Sequence, residues 1–471
     1  MGRRTTVCVV GSGGREHALA LALARSADVV VTPGNPGMET VTADGYRVAV
    51  TPARPDEVEA DLVVIGPEAP LVDGLADRLR ARGRRVVGPG ADGARLEGSK
   101  AFMKELLDEA GVPTARFGTF DRVDEAQRFL RMLPGPWVVK TDGPAAGKGV
   151  LVATSLEEAE ADVAAKLAGG AFGEAGRRVV VEEGLTGPEC SLLVLCDGRR
   201  VVPLAPAQDF KRVGDGDTGP NTGGMGAYCP MPDVDDGLVD ELLFGAVEPL
   251  VAALRARGVD YRGVLYAGLM LTPDGPKVLE YNVRFGDPET QAVLPRLADD
   301  PVDLLMAVAE GRLSDVCDGR PAFTDDAAVC VVMAAAGYPT APRTGDPISG
   351  LGPDGQLADP VPGVTVFHAG TRRPDAAGPF VTAGGRVLGV TALAPTVADA
   401  RRLAYEATGA IGWDGALVRR DIAAAAAGPP PPAGTNGMTG MTGAAGTNGT
   451  AGAAGTNGRP GGPAAADGRT R

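Results

Sequence analysis

Lysine is scarce in this chain: of 46 basic residues only seven are lysine, at positions 100, 104, 140, 148, 166, 211 and 277. Arginine is the default surface cation, so a lysine inside a glycine-rich segment invites a chemical reason. Histidine is scarcer still, with only His17 and His368, which leaves little room for imidazole-based catalysis. The six cysteines, at 8, 190, 196, 229, 317 and 330, form no CxxC pair and no zinc spacing. Buried free thiols in a reducing compartment are the expectation. No apolar run approaches the ~18 residues needed to span a bilayer. The basic pair Arg3 and Arg4 precedes an apolar run that stops at Gly11, a strand length rather than a signal-peptide core. With a net charge of −14 and a pI near 4.8, the chain lacks the basic face that nucleic acid requires. These absences predict a cytoplasmic protein with no nucleic-acid and no membrane partner.

The 471 residues leave room for about three domains. TTVCVV at 5–10 runs into GSGGREHALALALA, which reads as strand, tight turn and helix, the opening of a parallel α/β sheet. VVVTPGNPG, DLVVIGPEAPL and RRVVGPG repeat the strand-then-loop pattern, so residues 1–98 are expected to form a doubly wound parallel-sheet domain. SKAFMKELLDEAGVPT is an amphipathic helix ended by Gly111, with Pro113 just beyond. Alternating strands and helices then continue through a central domain, 99–318. AVCVVMAA, VTVFHAG and RVLGVTAL mark a small C-terminal α/β domain at 319–422. Beyond Ile422 there is no Leu, Ile, Val or aromatic residue, and GTNG recurs at 434, 446 and 455. Residues 423–471 are therefore expected to be a disordered low-complexity tail.

Five segments carry chemistry. In GSGGREHAL, glycines after a strand let backbone amides approach a phosphate at a helix N-terminus, a pattern shared with dinucleotide-binding folds. The second strand, however, ends in Pro and Gly rather than in a ribose-binding carboxylate. Arg15, Glu16 and His17 crowd this turn beside Gly13 and Gly14, and Glu68 stands at another strand's carboxyl end, where open α/β sheets bind ligands. In PWVVKTDGPAAGKGV, a strand ending at Lys140 enters a loop with Gly147, Lys148 and Gly149, suited to closing over polyphosphate; it is not a Walker A sequence. VVVEEGLTGPE is an apolar strand that breaks into carboxylates, equally readable as a nucleotide hinge or as a solvated strand end. In KVLEYNVRFGDPETQ, strand alternation puts Glu280, Asn282 and Arg284 on one face and Leu279, Tyr281 and Val283 on the other. Oxygen donors of that kind suit Mg²⁺ shared with phosphates, and the arginine suits phosphoryl transfer. Asp287 and Glu289 follow as acceptors for an amine. QDFKRVGDGDTGPNTGGMGAY, long, glycine-rich and dense in charge, has the character of a functional lid.

Taken in order, GSGGREHAL, GPEAPLVDG, LEGSKAFMK, AAGKGV, DTGPNTGGMGAY and RFGDPETQ resemble the ATP-grasp ligases and, within them, the phosphoribosylamine–glycine ligase family. The resemblance covers residues 5 to about 422 and implies a central ATP-grasp domain at 99–318 behind an N-terminal substrate domain. It implies ATP-dependent ligation of glycine to 5-phosphoribosylamine, via glycyl phosphate, with Mg²⁺ or Mn²⁺, in a monomer of purine biosynthesis. Carried onto this sequence, Lys100, Lys140 and Lys148 with Gly147 and Gly149 face the ATP phosphates. Glu182, Glu183, Leu185 and Glu189 face adenine and ribose, and Glu280 and Asn282 hold the metal. Arg284, Asp287 and Lys211 serve the reaction. Gly13, Gly14, Arg15, Glu16, Glu68, Asp209, Asp287 and Arg386 face the substrates. Two departures stand out: Tyr266 occupies the place of a further metal carboxylate, and Phe210 the place of a histidine in some relatives.

Overall fold

The computed structural model describes residues 4–143, 149–168, 176–375 and 378–428. Gly147 and Lys148 of the glycine loop, and the tail beyond 428, lie outside the described residues.

The N-terminal sheet is built from β1 (Thr6–Gly11), β2 (Asp28–Pro33), β3 (Thr40–Val41), β4 (Arg47–Val50), β5 (Leu62–Ile65) and β6 (Val86–Val87), in the order β3-β4-β2-β1-β5-β6. All its pairings are parallel except the edge pair β3–β4. Along β1, Val7 and Val9 join one core cluster while Cys8 and Val10 join another, so the strand is buried on both faces. That is the doubly wound arrangement expected of near-continuous apolar strands. Helices α1 (Gly14–Leu23), α2 (Glu68–Val72), α3 (Leu75–Ala81) and α4 (Ala91–Gly98) follow its strands.

Ser99 then caps α5 (Lys100–Ala110): its Oγ accepts from Phe102 N at 3.1 Å. The helix ends at Gly111, whose φ of +66° is a left-handed conformation that glycine adopts without a Cβ penalty. A four-stranded antiparallel sheet follows: β7 (Phe117–Phe120), β8 (Trp137–Thr141), β9 (Val150–Ala153) and β10 (Val179–Glu183), ordered β7-β10-β8-β9. Val139, Val179 and Val181 pack on the helices Val123–Leu130 and Leu156–Leu167. Alternation therefore turns Lys140 and Glu182 to the opposite face.

A second antiparallel sheet begins with β11 (Glu189–Asp197) and β12 (Val201–Pro203). The chain then forms β13 (Gln208–Asp209), a hairpin of β14 (Arg212–Gly214) and β15 (Thr218–Asn221), and β16 (Gly226–Cys229). The long strands β17 (Arg262–Thr272) and β18 (Gly275–Asn282) complete the second sheet in the order β12-β11-β17-β18. The two sheets meet where Thr114 bridges to Val278 and Lys140 Nζ donates to Leu279 O at 3.2 Å.

The C-terminal sheet uses β19 (Ala327–Ala334), β20 (Val364–His368), the short pair β21 (Thr371–Arg372) and β22 (Val381–Thr382) beside it, β23 (Arg386–Ala394) and β24 (Leu417–Val418). Its order β13-β16-β19-β23-β20, with β24 on β19, draws two strands from before residue 318. A backbone ladder can recruit strands far apart in sequence, so hydrogen bonding crosses the expected chain boundary. The packed region also runs past Ile422: Ala423 is buried, and Ala426 and Ala427 pack on the core. Alanine gives no hydrophobic-run signal, yet a few methyl groups suffice to close a core edge. Among the described residues, no helix is long and apolar enough to cross a membrane.

Candidate active site

A cleft of about 560 Å³ opens where the first turn of α1, the α4–α5 junction, the end of β18 and the edge of the C-terminal sheet converge. Its floor is β18. Asn282 stands opposite Tyr266, and Glu280 opposite Gly268, in the β17–β18 ladder. The alternation expected over 279–284 holds for Glu280 to Val283 but breaks at Leu279. A register shift between Gly268 and Leu269 makes Val278 the core residue there and leaves Leu279 half-buried.

Glu280, Asn282 and Arg284 all line the cleft, as do Lys100, Gly149 and Lys211. Burial pushes the Glu280 carboxyl up, but Lys211, Lys140, Lys100 and Arg284 outweigh it and hold it below the usual carboxylate range. Asn282 Oδ1 accepts from Arg284 Nη2 at 3.1 Å, leaving one lone pair for another partner. Tyr266 also lines the cleft, but its hydroxyl is tied into a buried network, 2.9 Å from Ser191 Oγ, which donates to Glu289 Oε1 at 3.1 Å. Among the described residues no three carboxylates, cysteines or histidines are placed so that together they could hold a metal ion. Glu280 and Asn282 offer one carboxylate and one amide oxygen, a pair whose chemistry fits a hard cation that keeps water and phosphate oxygens in its shell.

Lys100 opens α5 beside the loop after β8. Its backbone N donates to Asp142 O at 3.0 Å and its Nζ to Gly143 O at 3.4 Å. Burial lowers its pKa, with Glu280 acting in the opposite sense. Lys140 and Glu182 lie deeper, with Nζ 2.8 Å from Oε1. Lys104, which sequence reasoning passed over, holds the other oxygen at 2.9 Å. Its signal was the same lysine scarcity that singled out Lys148. Burial pushes the Glu182 carboxyl up, and the two ammoniums outweigh it, so its pKa falls. Glu183 accepts from Arg116 N at 2.9 Å, Leu185 is half-buried, and Glu189 pairs with Lys211 at 2.6 Å; none of the three lines the cleft.

Lys211 Nζ also lies 2.9 Å from Asp209 Oδ1. Although burial works against its charge, Asp209 and Glu189 hold the Lys211 pKa well above the ordinary lysine value. Burial pushes Asp209 up to about 6 against the pull of Lys211.

Arg15, Glu68 and Asp287 complete the wall on the N-terminal side. Glu16 does not reach it. Its carboxylate folds back, accepting from Gly13 N at 2.6 Å and from Arg15 Nε at 2.6 Å, and caps its own helix. A Cβ at Gly66 would lie 2.0 Å from Glu16 Oε1, and one at Gly11 2.5 Å from Glu16 Cγ and Cδ. Gly11, read as a phosphate-approach position, and Gly66 beside it are therefore required by this buried carboxylate. Gly13 and Gly14 lie behind the wall, and a Cβ at Gly14 would sit 2.7 Å from Gln291 Nε2.

Arg386, from β23, closes the C-terminal side. Its Nη2 lies 3.0 Å from Asp287 Oδ2, and its Nη1 donates to Asp287 O at 2.6 Å and to Gly223 O. Gln291 Nε2 donates to the other Asp287 oxygen at 2.7 Å. Tyr338, unremarked in the sequence, lines the same side and accepts from Gly223 N at 3.0 Å.

The segment 208–228, expected to be a lid, is instead a strand-hairpin-strand unit fastened at its tip. Arg419, 1% exposed, reaches Asp217 at 2.8 Å and Asp421 at 2.6 Å and donates to Arg212 O at 3.1 Å. Gly216 N donates to Asp421 Oδ2 at 2.8 Å. Phe210 packs beneath, 4.9 Å from the Arg419 guanidinium and 6.3 Å from the Tyr228 ring.

A cleft with several fixed cations and a carboxylate–amide pair, but no nucleophile–imidazole pair, suits chemistry driven by positioning and charge neutralisation. Set against the second antiparallel sheet, it defines an ATP-dependent ligase of the ATP-grasp class. The phosphoribosylglycinamide synthetase N domain matches residues 5–97, its ATP-grasp (A) domain 98–290 and its C domain 328–425. Phosphoribosylamine–glycine ligase of Caulobacter vibrioides is 48% identical over 427 residues, 89% of this chain and 98% of that protein. The protein of the same name from Streptomyces coelicolor is 49% identical, covering 89% and 99%. The crystal structure of phosphoribosylamine–glycine ligase from Thermotoga maritima has a TM-score of 0.73 at 34% identity, covering 89% of this chain and all of that one. Biotin carboxylase from Campylobacter jejuni, at 14% identity and a TM-score of 0.63, shares the fold. The chain belongs to the phosphoribosylamine–glycine ligase family.

Proposed function

We propose that the chain joins glycine to 5-phosphoribosylamine at the expense of ATP, in purine biosynthesis. The glycine carboxylate attacks the γ-phosphorus of ATP, releasing ADP and forming glycyl phosphate. The amine of phosphoribosylamine then attacks the acyl carbon, phosphate leaves, and the amine proton passes to a base, giving glycinamide ribonucleotide. The single observation that carries this reading is one cleft bearing Lys100, Glu280, Arg284, Asp287 and Arg386 in a chain matched by the family's three domains.

Lys100 and Lys140, with Lys148 on the glycine loop, neutralise the ATP phosphates, and Gly147 and Gly149 let that loop approach them. Glu182, Glu183, Leu185 and Glu189 serve the adenosine end. Glu280 and Asn282 would hold Mg²⁺ or Mn²⁺, which when bound offsets polyphosphate charge. Arg284 stabilises charge at the transferring phosphoryl group. Asp287, fixed by Arg386 and Gln291, orients the amine, and Lys211 and Asp209 flank the acid. Arg15, Glu68 and the turn at Gly13 and Gly14 face phosphoribosylamine, with Glu16 acting through the turn it caps. Arg386 offers its positive charge to the ribose phosphate while its Nη1 holds main-chain carbonyls.

Six free, buried cysteines support a cytoplasmic setting, and the charge of −14 supports the absence of a nucleic-acid partner. The reading takes the chain as a monomer with no membrane partner, organised as 1–98, 99–318 and 319–422 with a tail, the packing of the last domain continuing over Ala423, Ala426 and Ala427. The test is ADP release with phosphoribosylamine generated in situ, comparing wild type with Glu280→Ala. ADP that requires both glycine and the amine, is largely lost in the variant, and accompanies a product of the mass of glycinamide ribonucleotide is the expected result. Glycine-independent ADP release would sink the substrate assignment, and full activity in the variant would sink the metal assignment.

A further inference from the structure

Glu97 has no part in the chemistry above, yet both its oxygens are committed inside the cleft. It stands in the last turn of α4, three residues before Lys100, and its side chain is 12% exposed. Oε1 lies 2.8 Å from Arg284 Nη2, and Oε2 accepts from Val283 N at 2.8 Å. One carboxylate therefore grips the backbone of one residue and the side chain of the next, just beyond β18. Arg284 is held on its other edges as well. Nη2 also donates to Asn282 Oδ1 at 3.1 Å, Nη1 donates to Phe285 O at 3.2 Å, and Glu68 Oε2 stands 3.7 Å from Nε. Nε itself is buried and has no hydrogen-bond partner.

A guanidinium is planar, and its five N–H groups point in fixed directions. Anchoring Nη2 to Glu97, while the same carboxylate anchors the preceding peptide, prevents rotation of that plane relative to β18. A buried carboxylate is costly unless paired, so a Glu97 without Arg284 would be poorly tolerated. The pairing joins α4 of the N-terminal unit to the floor strand of the ATP-grasp sheets, so the cation is in place before substrates arrive. A charge already oriented needs no reorganisation at the moment of phosphoryl transfer.

We propose that Glu97 is a positioning residue for the phosphoryl-transfer step, setting the plane in which Arg284 meets the reacting phosphate. The proposal rests on the reading of Arg284 given above, and the experiment separates the two. ADP release that depends on glycine and amine is measured on the full chain for wild type, Glu97→Gln, Glu97→Asp, Arg284→Lys and Glu97→Gln/Arg284→Lys. Thermal midpoints are taken alongside. Glu97→Gln lowers kcat on the order of 10- to 100-fold, the scale of an active-site group misplaced by about an ångström, while KM for ATP and glycine changes by less than about threefold. The double variant is about as slow as Arg284→Lys alone, because one residue acts through the other. Glu97→Asp, which keeps the charge but shortens the reach, stays slow; it also replaces Glu97→Gln should that variant fail to melt cooperatively. Wild-type kcat in Glu97→Gln or Glu97→Asp, losses that multiply in the double variant, or a loss confined to KM would each overturn the proposal. If wild-type ADP release ignores glycine, the substrate reading fails instead, and the same cycle is run with the acid that does stimulate it.

Discussion

Lys104 and Lys140 grip opposite oxygens of the one Glu182 carboxylate, at 2.9 and 2.8 Å. The triad is asymmetric. Lys104 is fully buried, and burial lowers its pKa to about 8 despite the attraction of Glu182. Lys140 reaches toward β18 through Leu279 O. Removing the carboxylate strands two buried ammoniums, whereas removing Lys104 leaves a one-to-one pair. Glu182→Gln should cost about 3–5 kcal/mol of stability and Lys104→Met clearly less, under about 2 kcal/mol. Urea denaturation measures both, and equal losses would contradict this account of the triad.

Arg386 ties together segments that are far apart in sequence, Gly223, Asp287 and its own strand β23. Arg386→Ala should lower kcat/KM on the order of 10- to 100-fold by releasing Asp287, with a small change in thermal midpoint. Arg386→Lys should recover little, because an ammonium cannot span carboxylate and carbonyl in one plane. Near-wild-type kcat/KM in the lysine variant would mean that charge alone matters.

The hairpin of β14 and β15 depends on Arg419. Arg419→Ala removes its pairs with Asp217 and Asp421 and its bond to Arg212 O. Because both carboxylates are partly solvated, the cost should be about 1–3 kcal/mol rather than that of a fully buried pair. Hydrogen exchange should accelerate across 212–221 and leave the N-terminal sheet unchanged. Uniform acceleration would mean that the residue supports the whole fold instead.

The chain's two histidines meet: His368 N donates to His17 Nδ1 at 2.8 Å. That bond requires a lone pair on Nδ1, and thus neutral His17. Burial, with His368 beside it, holds the His17 pKa well below the usual value, and burial lowers His368 to about 4. Unfolded histidine titrates near ~6.5, so below that pH the unfolded chain binds protons that the folded chain refuses. Stability is therefore fully present above about pH 6.5 and is lost as pH falls toward the folded values, by up to about 1.4 kcal/mol per pH unit for each histidine. Thermal midpoints between pH 7 and 5 should drop less steeply in His17→Gln, which keeps an acceptor but does not titrate. An unchanged slope would assign the acid sensitivity to other groups.

Much of the molecule was legible in the chain itself. Apolar runs such as TTVCVV and DLVVI specify β1 and β5 because a strand buried on both faces needs no alternation. Ser99 and Gly111 bound α5 because an N-cap oxygen and a left-handed C-terminal residue are local requirements. The floor carrying Glu280, Asn282 and Arg284 followed from the period of two. The strings GPNTGGMGAY and RFGDPETQ carried the family.

What only the tertiary structure decided concerns partners distant in sequence. The sequence places Glu16 in a ligand turn, but the fold makes it the cap beneath Gly11 and Gly66. It marks 208–228 as a lid, but a buried arginine some two hundred residues away fastens the hairpin. It gives Arg284 a role and says nothing of Glu97, because no local pattern reports that α4 comes to rest against the end of β18. Local chemistry fixes secondary structure and the residue types a reaction needs. Which of those side chains stay free to meet a ligand is set by charges and hydrogen bonds that exist only once the sheets have packed.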